Sequence, residues 1–91
     1  MAEDNSKLFE GIAYFEKMLK LMPGDRTTLE FLSVAYEQVG DAQKTRTSLI
    51  QLAETLLREK DYDAADAIGE RLSVYTEDDA KKMVQKVKSI H

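Results

Sequence analysis

The chain has no cysteine and no tryptophan, and among its 91 residues there are one histidine, one proline and four glycines. Without cysteine there is neither a disulfide framework nor a thiolate nucleophile. The lone histidine, His91, leaves no nucleophile–base pair and no zinc ligand set, so no cofactor or metal is expected. Gly11, Gly24, Gly40 and Gly69 are scattered, which excludes a glycine-rich phosphate loop. No apolar run approaches the roughly 18 residues that a membrane span needs. The opening Met1-Ala2-Glu3-Asp4 has neither the basic nor the apolar region of a secretory signal. A cytoplasmic location is the expectation.

What the chain does have is charge and helix formers. Thirteen Lys and Arg stand against seventeen Asp and Glu, a formal net charge of −4. That sign opposes a phosphate backbone, so no nucleic-acid partner is expected, and the lack of a spanning run leaves no membrane expected either. Lys81, Lys82, Lys86 and Lys88 follow Glu77-Asp78-Asp79 in one helix. Acid first and base last complements a helix dipole, and no aromatic residues interleave as a nucleic-acid platform requires. Asp61, Asp63 and Asp66 resemble the start of a calcium loop, but no glycine turn or closing glutamate follows. They are read as a cap and an acidic first turn. Hydrophobic residues make up 43%, enough for one modest core across a single domain, 1–91.

Periodicity and stop signals predict about five helices. The first runs from about Ser6 to Met22 and ends at Pro23-Gly24. The second runs from about Thr27 to Val39, capped by Asp25 and stopped by Gly40. Asp41 caps a third, from about Ala42 to Glu59. Lys60-Asp61, lacking glycine and proline, is only a weak break before a fourth helix from Tyr62 to Val74. Thr76-Glu77-Asp78-Asp79 reads as a capping box for a fifth, which uses Ala80, Met83, Val84, Val87 and Ile90. The expected core holds Phe15, Met18, Leu32, Tyr36, Leu49, Leu52, Ala65, Ile68 and Leu72.

The segment from Phe15 to Pro23-Gly24-Asp25, followed by Leu29, Leu32, Ser33, Tyr36 and Gly40-Asp41, resembles a tetratricopeptide repeat junction. Phe15 takes the large position of the second helix and Pro23 the closing proline. Leu29 stands for the family's tryptophan, Ser33 for its small glycine and Tyr36 for its tyrosine. The match spans about Gly11 to Asp41. Lys60-Asp61-Tyr62-Asp63-Ala64-Ala65 looks like a second copy of the turn, with Asp61 only 20 residues after Asp41. The third helix would then close one hairpin and open the next. The implied fold is an all-α, tetratricopeptide-like array of antiparallel hairpins with irregular repeats.

That resemblance implies a protein–protein interaction module, an adaptor or scaffold domain and not an enzyme, binding along a concave face. The family's binding positions fall on Thr27, Glu30, Val34, Glu37 and Gln38. If the third helix acts likewise, they continue through Thr47, Ile50, Glu54, Leu57 and Arg58. The family's peptide-carboxylate clamp is absent, since Glu30 and Val34 hold its Lys and Asn positions. Glu30, Glu37 and Glu54 favour a basic or amphipathic protein segment, and Val34, Ile50 and Leu57 offer apolar contact. Ile50 and Leu57 fit equally as core facing the fifth helix. Phe9, Tyr14 and Phe31 are open between core and interface. The rival function is self-association or structural capping, with a homo-oligomer as the partner, because an incomplete repeat leaves a face uncovered.

Overall fold

The computed structural model describes residues 5–90; Met1–Asp4 and His91 lie outside the described residues. Three aspartates open three of the helices. Asp25, Asp41 and Asp61 each accept a hydrogen bond from a backbone N–H three residues on, at Thr28 (3.0 Å), Lys44 (3.0 Å) and Ala64 (3.2 Å). Each satisfies one of the donors that a helix start leaves orphaned. The helices are α1 (Ser6–Leu21), α2 (Arg26–Gln38), α3 (Ala42–Arg58), α4 (Tyr62–Leu72) and α5 (Asp78–Lys88), with no strand among the described residues. The all-α fold expected from the sequence is the fold observed.

The break expected to be weak is a firm stop. After α2, Gly40 N–H donates to the Glu37 carbonyl and Asp41 N–H to the Tyr36 carbonyl. After α3, Lys60 N–H donates to Leu57 and Asp61 N–H to Leu56 in the same pattern. Both are Schellman turns, which need a left-handed residue just past the helix. Gly40 adopts φ 80° without strain, and Lys60 adopts φ 62°, a conformation a Cβ disfavours. The aspartate that follows each turn caps the next helix at once, so local hydrogen bonding replaces the missing glycine as the terminator.

The expected capping box at Thr76 does not form. Glu77 is the N-cap of α5, and it makes no side-chain cap hydrogen bond. Asp79 instead accepts from the Ala80 N–H at 2.7 Å. Arg46 of α3 supplies the rest, with Nη1 3.2 Å from Glu77 and Nε 3.1 Å from Asp79. These acids start the helix through its dipole and fasten it to α3.

α3 packs against α2, α4 and α5, whereas α1 packs only against α2. Leu29, Leu49, Leu52, Leu56 and Leu72, with Ala53, Ala65 and Ala80, form the main cluster. Ile12, Leu32, Ala35 and Tyr36 form a second between α1 and α2. Each fully buried leucine contributes about 1.5–3 kcal/mol. Phe15, Met18 and Ile68, expected inside, are only half-buried, because each stands on a helix with too few neighbours to cover it. Ser33 is fully buried between α2 and its neighbours, with its hydroxyl on the Glu30 carbonyl at 3.0 Å. Thr28, Thr45, Ser48 and Thr55 are likewise buried and hydrogen-bonded.

Two opposite backbone outcomes are expected in urea unfolding. Lys60→Gly relieves the left-handed lysine and stabilises the fold by about 1 kcal/mol. Gly40→Ala, at φ 80°, destabilises it by about the same amount. A stabilised Gly40→Ala variant contradicts the turn. Leu32→Ala, at 1% exposure, costs about 2–5 kcal/mol.

Candidate binding groove

α1 and α3 both lean on α2 with their backbones apart, and the space between them is an open groove of about 920 Å³. Ala13, Glu16, Lys17 and Lys20 of α1 line one wall, and Gln51, Glu54, Thr55 and Arg58 of α3 the other. Pro23 and Gly24, in the turn between α1 and α2, close one end. At the other end the groove runs into a smaller hollow of about 320 Å³ over Leu32, Tyr36 and Lys44, sharing Leu19 and Gln51 with the first.

Local contacts hold both walls. Thr55 Oγ1 donates to the Gly24 carbonyl at 2.9 Å, tying α3 to the turn. Gly24 sits at φ 83°, a left-handed conformation that favours glycine, with Arg58 Nη2 and Thr55 Oγ1 beside it. Across the floor, Tyr36 Oη donates to the Glu16 carboxylate, and Lys44 Nζ of α3 reaches the same carboxylate at 3.7 Å. Burial, with Glu16 beside it, raises the Tyr36 phenol above its ordinary range, so it stays protonated and donating. Glu16 is therefore occupied. Lys20, Glu54 and Arg58 enter no ion pair among the described residues.

The sequence-derived binding positions divide between separate places. Thr27, Glu30, Val34, Glu37 and Gln38 are exposed on the outer side of α2. Glu30 pairs with Arg26 (3.5 Å), which also reaches Asp61 (2.9 Å) and Glu59 (3.4 Å) at the start of α4. Glu37 pairs with Arg71 of α4 at 3.5 Å. Glu54 lies elsewhere, in the groove that faces α1, with Arg58 beside it. The three carboxylates do not share a face, because α3 turns this side toward α1 and not toward the outer side of α2. Ile50 and Leu57 are half-buried against the main cluster, which is the core reading of those two. Thr47 lines the smaller hollow. Phe9 and Tyr14 are exposed at 54% and 59%, and Phe31 stacks on Phe15 with ring centroids 4.3 Å apart.

The groove itself was not read from the sequence. Its signal was there in outline: Ala13, Glu16 and Lys20 share one side of α1, and Gln51, Glu54 and Arg58 one side of α3. Neither set is apolar, so neither stands out in a hydrophobic pattern.

No known protein family, curated protein or solved structure matches this chain. Among the described residues no group of acidic or imidazole side chains is placed to hold a metal ion, and no helix is long and apolar enough to cross a membrane.

The caps give the fold an acid dependence. Hydrogen bonds from Thr28 hold Asp25 below its ordinary value of 3.8, and the Ala64 N–H with Arg26 does the same for Asp61. A depressed carboxylate favours the folded state above its unfolded pKa and loses that contribution as pH falls. Thermal stability should hold from neutrality down to about pH 4 and decline below it. Asp61→Asn keeps a cap but cannot titrate, so its melting temperature should fall less between pH 4 and about pH 2.5. An equal fall in the variant would remove Asp61 from this account.

Proposed function

We propose that this chain is a protein-interaction module, tetratricopeptide-like in design, that holds a segment of another protein in the groove between α1 and α3. One observation carries this reading. Two helices resting on a shared floor leave a continuous trough, walled by polar side chains over Leu19, Leu32 and Tyr36. Such a shape accepts a helix or an extended segment by its apolar side, and the walls then select by charge. Binding, not catalysis, is what these groups do, since none forms a nucleophile–base pair.

The charge preference differs from the one expected of Glu30, Glu37 and Glu54 acting together. Glu30 and Glu37 lie on another flank, each within reach of an arginine, Arg26 and Arg71. Within the trough, Lys17, Lys20 and Arg58 are cations outside the ion pairs, against Glu54 and a Glu16 already held by Tyr36 and Lys44. An amphipathic segment with acidic flanks fits this balance better than a basic one.

Two synthetic amphipathic peptides with one apolar face, one acid-flanked and one base-flanked, test the reading against the isotope-labelled chain. The acidic peptide is expected to shift the amides of Ala13, Leu19, Gln51 and Thr55 and to bind more tightly at low salt. Lys20→Glu with Arg58→Glu should reverse the preference, while Glu30→Gln with Glu37→Gln should leave it unchanged. Peptide-induced shifts confined to the outer side of α2 would return the site to Glu30 and Glu37. No groove shift with either peptide would sink the proposal.

A further inference from the structure

α1 carries an apolar stripe that the rest of the structure covers only in part. Gly11, Phe15, Met18 and Met22 recur at spacings of four, three and four, and the same spacings place Thr45, Leu49, Leu52 and Leu56 on α3. On α3 that stripe is sealed, each residue at 1% exposure, with α2 lying along the helix. On α1 no second helix lies there, because α1 meets only α2. Phe15 and Met18 are half-buried, Met22 is 43% exposed, and the adjoining Tyr14 and Leu21 reach 59% and 79%. Phe31 extends the patch from α2: its ring stacks on Phe15 and passes over Gly11, where a Cβ would stand 3.3 Å from it. Val34, one turn further along α2, is 45% exposed. A continuous aromatic and methionine surface of this kind marks an interface.

We infer that this face binds a second copy of the chain, with α1 packed antiparallel to the α1 of the other copy about a twofold axis. The patch is self-complementary in that arrangement, as an isologous contact requires. A twofold near the middle of the helix brings Met18 of one copy over Gly11 of the other, and Phe15 beside Tyr14. Glu10 and Lys17 flank the stripe on one side, and neither enters an ion pair among the described residues. Antiparallel packing sets Glu10 of each copy against Lys17 of the other, twice. A parallel pairing would set like charges together instead. α1 and α2 with their counterparts then make a four-helix core, the arrangement that helices of this length favour.

This interface shares only Lys17, at the margin, with the trough proposed above, and sedimentation equilibrium of the full chain tests it with no ligand present. The expected result is a reversible dimer with a Kd below about 100 μM. Leu21→Glu, at a position already exposed and thus neutral to folding, should yield a monomer with an unchanged helical circular-dichroism signal. Glu10→Lys or Lys17→Glu alone should weaken the dimer about threefold to tenfold, because each change acts twice. The two together should restore it, and only the antiparallel pairing predicts that rescue. A parent chain that stays monomeric up to about 1 mM overturns the inference. So does a dimer indifferent to Leu21→Glu, or one that the double charge exchange fails to rescue.

Discussion

The structure depends on one helix being wanted on several sides at once. α3 brings Leu49, Leu52, Ala53 and Leu56 to one cluster that it shares with α2, α4 and α5. With a short axis of 20 Å, about two helix diameters, the molecule has room for one such central helix and no more. Every other helix is covered over part of its circumference only. That explains why the wholly buried large side chains concentrate on or against α3, while α1 retains exposed apolar groups. It also explains why Arg46 matters beyond a surface pair. Its side chain is only 16% exposed, and it holds the start of α5 to α3 through Glu77 and Asp79. A partly desolvated pair of this kind contributes more than an exposed one such as Arg26 with Glu30.

The helices were legible because their signals are local. Periodic leucines, Pro23-Gly24, and the aspartates at 25 and 41 act within a turn or two of where they stand, and the observed ends differ from the expected ones by one or two residues. Lys60 shows the limit of such reading. Nothing in a lysine announces a left-handed residue, yet the Asp61 that follows repeats the Asp41 after Gly40, and the repeated turn was the usable sign. At Thr76 the local signal misled: a capping-box spacing was present, but Arg46, distant in sequence, drew Glu77 and Asp79 to itself. The half-buried state of Phe15, Met18 and Ile68 was beyond a local reading for the same reason. Periodicity shows which way a side chain points and not whether a neighbour arrives to cover it.

Function was harder to read than fold because a binding surface is a relation between elements. Glu30, Glu37 and Glu54 look alike as solvent-facing acids, and only the placement of α1 and α4 distinguishes them. Arg26 and Arg71 pair with the first two, while Glu54 looks across open space toward α1. The electrostatic field a partner meets is set by the charges left uncommitted, so pairing within the molecule changes the expected ligand even though net charge does not change.

The trough and the uncovered stripe both trace to side-chain size where helices could meet. α3, α4 and α5 pack around a cluster that includes Ala53, Ala65 and Ala80, and Gly69 of α4 leaves space for Val87, whose Cγ1 would lie 3.5 Å from a Cβ there. Small residues let backbones close, as ridge-into-groove packing requires. Between α1 and α3 the corresponding space is held by Leu19, Tyr36, Gln51 and Arg58, with Lys44 and Glu16 bridging above the floor. Those side chains keep the two backbones apart, so α1 packs along α2 and reaches α3 only through side chains such as Glu16, on Lys44, and Leu19. An edge helix held on one side keeps two surfaces: a polar-walled trough toward α3 and an apolar stripe facing away. The first has the character of a recognition surface and the second of a packing surface. A single constraint, large residues where the other end of the molecule has alanine and glycine, gives rise to both.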